Sequence, residues 1–145
     1  MTAFQFPLQK ALDWRRTQLD LEEARYKQQA AALAELDRVR AEIEAAGVKA
    51  ETQVRDWSPV QGRDLAALGS FRLRVKMQEK QIQVRRQECE RVLAERQNAM
   101  LEARRRCRLL ERLKERRQVE WKAACDHEME ELASESYLAQ WKRVG

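Results

Sequence analysis

The sequence predicts an all-α fold, two long helices forming an antiparallel coiled coil of the helical-hairpin kind. Three observations predict it. First, 37% of the 145 residues are charged, with only four glycines and two prolines. Ala, Leu, Glu, Arg, Lys and Gln dominate, and all are good helix formers. That mixture is the composition of long helices, not of a globule with a three-dimensional apolar core. Second, apolar residues recur from Leu8 onward with a period near 3.5, the repeat of a helix–helix seam. Third, the pattern is broken firmly only once, at Trp57-Ser58-Pro59-Val60-Gln61-Gly62.

The first helix is predicted over about residues 5–57. One heptad series runs Leu12, Leu19, Tyr26, Leu33, Arg40, Gly47 and Val54 and is mostly apolar. Its companion, Leu8, Arg15, Glu22, Gln29, Leu36, Ile43, Ala50 and Trp57, is interrupted by polar residues. A seam built this way is only moderately stable. The reversal is placed at about 58–62. Pro59 disfavours helix at Ser58 and removes a backbone donor, and Gly62 permits the chain to turn.

The second helix is predicted over about 63–141, with a weak point at Gly69-Ser70, so that residues 1–145 form a single domain. Its seam reads Leu68, Val75, Ile82, Cys89, Ala103 and Leu110, interleaved with Leu93, Met100, Cys107 and Trp121. Arg86, Arg96, Lys114 and Arg117 share the seam, where long basic side chains can lay their stems on apolar surface. A short connection favours antiparallel neighbours. Folding back near residue 60 sets Leu8 beside Leu113 and leaves the chain beyond about Lys114 without an internal partner. That overhang still carries an apolar stripe: Trp121, Cys125, Met129, Leu132, Leu138 and Trp141. An unpaired amphipathic helix is either frayed or completed by another protein.

The net charge of +5 is unevenly placed. From Arg104 to Arg117 lie eight basic residues against Glu111 and Glu115. From Gln118 to Ser136 the balance reverses to six acids and Lys122. Such a split argues for local complementarity with partners. Cys89, Cys107 and Cys125 are each 18 residues apart, five helical turns, so they share a stripe at intervals of about 27 Å and cannot bridge one another within the helix. Three lone cysteines point to a reducing compartment. No stretch reaches the roughly 20 apolar residues of a membrane span, and the first residues lack a secretory pattern.

Chemistry of the chain's own is not expected. None of the four glycines is followed by the Lys-Ser/Thr pair of a nucleotide loop. His127 is the lone histidine, and its neighbours Cys125 and Asp126 point elsewhere on a helix, which excludes a convincing metal site or cysteine–histidine pair. Glu130 and Glu131 read as a solvated face. No catalytic residue and no cofactor is therefore assigned. The arginine run is the most distinctive feature. It suits a solvated surface or an acidic protein partner better than a nucleic acid, since a basic region normally precedes its zipper and carries Asn or Ser for base edges. Phosphate binding through six to eight of these cations would show a log–log salt slope of roughly −5 to −7.

Both ends of the chain resemble a known family. The opening Phe4-Gln5-Phe6-Pro7-Leu8-Gln9-Lys10-Ala11-Leu12-Asp13-Trp14-Arg15 resembles the start of the FliJ family, the small coiled-coil proteins of flagellar type III export. Leu110-Glu111-Arg112-Leu113-Lys114-Glu115-Arg116-Arg117 resembles its leucine-lysine-arginine signature, and Met129-Glu130-Glu131-Leu132-Ala133 its later acidic-hydrophobic segment, with Glu130 in place of aspartate. Trp14, Trp121 and the Ser58-Pro59 break depart from the family pattern and point to a divergent member or a sister from a virulence system. The resemblance implies a non-enzymatic stalk that promotes assembly and activity of the hexameric export ATPase. It also implies contacts with the export gate membrane protein and with export chaperones. The implied location is cytoplasmic, at most peripheral on the inner membrane. By position, Leu8, Leu12, Arg15, Arg112, Leu113, Lys114, Arg116 and Arg117 then belong to the surface facing the ATPase ring. Trp57, Leu68 and Phe71 belong to the surface reaching the gate. The alternative is a scaffold coiled coil without an ATPase partner.

Overall fold

A computed structural model describes residues 3–56 and 61–144. Of the turn expected at about 58–62, residues 58–60 lie outside the described residues, as does the site residue Trp57, while Gly62 is already the first residue of the second helix. Two α-helices, α1 (Gln9–Asp56) and α2 (Gly62–Val144), make up the fold, an all-α helical hairpin as expected. Neither helix contains a stretch long and apolar enough to cross a membrane. The chain divides into two compact units. One joins Met1–Asp20 to Leu101–Gly145, and the other is Leu21–Met100.

In the first unit the helix begins later than the sequence suggests, at Gln9 and not near residue 5. Pro7 stands two residues before it and has no N–H to give, while the Phe6 carbonyl accepts the Gln9 N–H at 3.0 Å in a tight turn. The non-helical start has a packing reason. Phe6 is buried with Leu12 and Cys107 in the core of this unit, and Phe4, Leu19, Leu110 and Leu113 close over them. Leu12 is fully enclosed at 0% exposure and Cys107 nearly so at 2%. A helical backbone at 4–6 would carry these two phenylalanines to different faces.

The same segment corrects the expected overhang. The Phe4 and Trp121 rings meet with centroids 5.9 Å apart and planes tilted by 58°. Internal partnering therefore extends past Lys114 to Trp121. Beyond Trp121 every described side chain is exposed apart from the half-buried Cys125.

In the second unit the seam is the one read from the heptads. Tyr26, Gln29, Leu33, Leu36, Ile43, Gly47, Ala50 and Val54 of α1 are half-buried, while Arg40 stays exposed. On α2, Ile82 and Cys89 are buried, and Leu68, Val75, Leu93 and Met100 are half-buried. The seam runs unbroken past Gly69-Ser70, where a weak point was expected. The covered positions Leu68, Phe71, Val75, Glu79 and Ile82 are spaced by three, four, four and three residues. The doubled four is a stutter, which unwinds the supercoil locally. Gly47 faces this stretch. A Cβ built on Gly47 would stand 3.9 Å from Val75 Cγ1, an ordinary van der Waals contact. Gly47→Ala should therefore fit and stabilise by about 0.5–1 kcal/mol through helix propensity. Denaturant melts that show Gly47→Ala less stable than the parent would contradict this packing.

Polar seam positions fix the register in this unit. The Gln29 side-chain amide donates to the Cys89 carbonyl at 3.3 Å and to Cys89 Sγ at 3.1 Å. Arg86 reaches Asp37 at 2.8 Å and Arg72 reaches Glu51 at 2.7 Å across the two helices. Such exposed pairs contribute a few tenths of a kcal/mol each, but a shifted register would break them together. Helix α2 is capped by reciprocal bonds. The Asp64 carboxylate accepts the Gln61 N–H at 3.3 Å and the Asp64 N–H reaches the Gln61 carbonyl at 3.1 Å. Asp64 also sets a negative charge in the first turn, where the helix dipole favours it.

Candidate functional site

The candidate surface lies on the unit that joins the two chain ends. The sequence-selected residues separate into two groups there. Leu12 is enclosed in the core and offers no free surface, while the half-buried Leu113 packs against it. Leu8 is 43% exposed and lines an open cleft with Phe4, Leu113, Arg117 and Trp121. Arg15 and Lys114 are half-buried, and the Arg15 guanidinium rests 4.7 Å from the Trp14 ring centroid. Arg112, Arg116 and Arg117 are exposed.

In the other unit, Leu68 and Phe71 are half-buried and line one shallow cleft with Ala50 and Val54 of α1. Their area is spent mostly on the seam.

The electrostatics divide the basic run. Glu102 accepts both Arg105, at 2.8 Å, and Arg106, at 2.9 Å. Those hydrogen bonds hold the Glu102 carboxyl down to about 2. Because its pKa is depressed, this pairing is in place above the ordinary carboxylate range and is lost as pH falls through about 2. Arg117 meets Glu120 at 3.5 Å, and Arg16 of α1 meets Glu111 at 3.5 Å. Arg108, Arg112, Lys114 and Arg116 have no acidic partner among the described residues. They are cations awaiting a counter-charge. Arg108 and Arg112, with Leu101, Leu109 and Arg105, line a furrow on the solvent side of α2. Its leucines supply apolar floor between guanidinium forks, which suits an acidic amphipathic partner.

The cysteines are graded by burial. Cys89 and Cys107 are buried and Cys125 is half-buried, all as free thiols. Burial, helped by the adjacent Glu111, pushes the Cys107 thiol up, which lowers its thiolate fraction at any given pH. A brief alkylation at neutral pH is expected to modify Cys125 before Cys107. Peptide masses showing Cys107 labelled first would refute that order.

Sequence reasoning does not single out four members of this unit, Phe4, Phe6, Leu101 and Leu109. Phe4 and Phe6 were read as part of a motif, not as the core and the lid of Trp121. Leu101 and Leu109 were passed over because they fall off the seam. Their signal was a second periodic face on α2, opposite the first.

No protein family, curated protein or solved structure matches this chain.

Proposed function

We propose that the chain is a non-enzymatic coiled-coil stalk of a type III protein export apparatus. On this reading it promotes assembly and activity of the hexameric export ATPase and contacts the export gate and chaperones. One observation supports the reading most. The two segments that resemble the FliJ family, Phe4–Arg15 and Leu110–Arg117, stand almost a hundred residues apart in sequence. They are packed into one unit through Phe6, Leu12, Leu110 and Leu113. A composite surface made of both chain ends is what a stalk needs to engage a ring with a single end.

The coupling needs no chemistry of the chain's own. A helical hairpin inserted in a ring of subunits meets each of them differently, and unequal contacts bias the ring's conformational states. Arg112 and Arg116 present guanidinium forks without acidic partners among the described residues, able to grip carboxylates bidentately on successive ring subunits.

The second reading, a scaffold coiled coil without an ATPase partner, is favoured by the exposed apolar side chains Leu132, Tyr137, Leu138 and Trp141 beyond the core. Hydrolysis of ATP by the cognate export ATPase, with and without the chain and alongside co-sedimentation, separates the two. Stimulation at ratios well below one chain per ATPase subunit, with co-migration, supports the stalk. Neither stimulation nor a complex leaves the scaffold.

A further inference from the structure

The outer face of α2 in the unit of the chain ends is symmetric about Val119. Seven residues to either side stand Arg112 and Asp126, and eleven to either side stand Arg108 and Glu130. Eighteen to either side stand Leu101 and Tyr137. Intervals of seven, eleven and eighteen residues are close to two, three and five helical turns, so all seven side chains share one stripe. The stripe is about 54 Å long, at 1.5 Å per residue. It faces away from α1, which packs on the opposite side of α2 at Cys107, Leu110 and Leu113.

This stripe is uncovered. Val119 is 69% exposed and Tyr137 62%. Arg108, Arg112, Asp126 and Glu130 make no ion pair among the described residues, while Arg105, Arg106, Arg117 and His127 of the same helix each meet an acid three or four residues away. The basic half and the acidic half carry equal and opposite unpaired charge, with an apolar residue at the centre and one at each end.

We infer that this face is an isologous interface at which a second copy of the chain docks α2 antiparallel to α2, with the two-fold axis at Val119. In a two-fold contact, residue i meets j and j meets i. That register sets Arg108 against the partner copy's Glu130 and Arg112 against its Asp126, each twice, giving four charge pairs. Val119 meets its own counterpart, and Leu101 meets Tyr137. The furrow between Leu101 and Arg112, with Arg105 on its wall, thereby receives an aromatic ring. A parallel pairing would oppose Arg108 to Arg108 and Glu130 to Glu130. Charge therefore selects the antiparallel arrangement.

The inference shares Arg112 with the stalk reading and is tested without any ATPase, on the full-length chain alone, by sedimentation across a concentration series at low salt. The parent chain is expected to dimerise. Arg108→Glu with Arg112→Glu in one chain, and Asp126→Lys with Glu130→Lys in another, should each weaken self-association by on the order of 100-fold, since every charge pair becomes repulsive. Mixing the two variants restores opposite charge at all four pairs, so the mixture should dimerise like the parent. Val119→Arg, which sets two cations on the axis, should dissociate the dimer independently. A parent that stays monomeric throughout overturns the inference and leaves the face to a different protein. A mixture that stays monomeric while both variants keep their helical circular dichroism overturns it equally.

Discussion

Leu12→Ala is expected to destabilise the unit of the chain ends by about 2–5 kcal/mol, the largest effect of any single truncation here. Leu12 is fully enclosed, between Phe6 of the entering segment and Cys107 of α2. Removing its three terminal carbons leaves a void that neither neighbour can fill. Phe6 is held by the turn at Pro7 and the Phe6 carbonyl bond to Gln9, and Cys107 sits on a continuous helix. Urea denaturation followed by circular dichroism measures the loss. Hydrogen exchange locates it, with amides of residues 9–20 and 101–113 losing protection while those of the Leu21–Met100 unit change less. An effect below about 1 kcal/mol would mean that the site collapses freely and that the core is not the tight cluster described. Leu33→Ala gives a comparison. Its side chain is half-buried on the seam, so a smaller loss is expected.

If the chain is the stalk proposed above, charge reversal of Arg112, Arg116 and Arg117 to Glu is expected to abolish engagement of the export ATPase while leaving helical content unchanged. Among the described residues Arg112 and Arg116 have no acidic partner and Arg117 meets only Glu120, at 3.5 Å on the surface, so the fold gives up almost nothing. At a desolvated contact, leaving a partner's charge unpaired costs on the order of 2–5 kcal/mol, so two such contacts suffice to remove measurable binding. The readout is co-sedimentation with the ATPase together with stimulated hydrolysis. Preserved binding in the triple variant would take the basic run out of the mechanism. Arg112 also belongs to the symmetric face of α2, whereas Arg116 and Arg117 stand off its line. Reversal of Arg116 and Arg117 alone therefore tests the ATPase contact without removing the charge pairs proposed for self-association.

The two helices and most of the seam were legible in the sequence, although Arg40 and Arg117, expected on it, are exposed and Phe71 and Glu79, not expected on it, are covered. A heptad reports which side chains face inward whatever the partner, because 3.5-residue periodicity and burial are the same fact seen twice. Leu33, Leu36, Ile43, Val75 and Ile82 are covered as that periodicity requires. The site was less legible. Leu8, Leu12 and Arg15 recur at helical spacing, yet nothing in that spacing says that Leu12 is enclosed and Leu8 half open. Closure over Leu12 comes from Phe6, which reaches the core only because the backbone there is not helical.

What the sequence determined by itself is therefore everything that depends on local propensity and period: two helices, one reversal, an apolar seam with polar interruptions, and a helix whose charge changes sign near residue 117. What the tertiary structure decided is everything that depends on a meeting between distant residues. The entering segment folds onto α2 as far as Trp121, and Gln29 finds Cys89 across the seam. Arg105 and Arg106 share the single carboxylate of Glu102, while Arg108 and Arg112 have no acidic partner among the described residues. The physical reason is range. Helix propensity and amphipathic period are fixed within a few turns, whereas burial and charge neutralisation depend on which surface arrives opposite, and only the folded chain brings that surface into place.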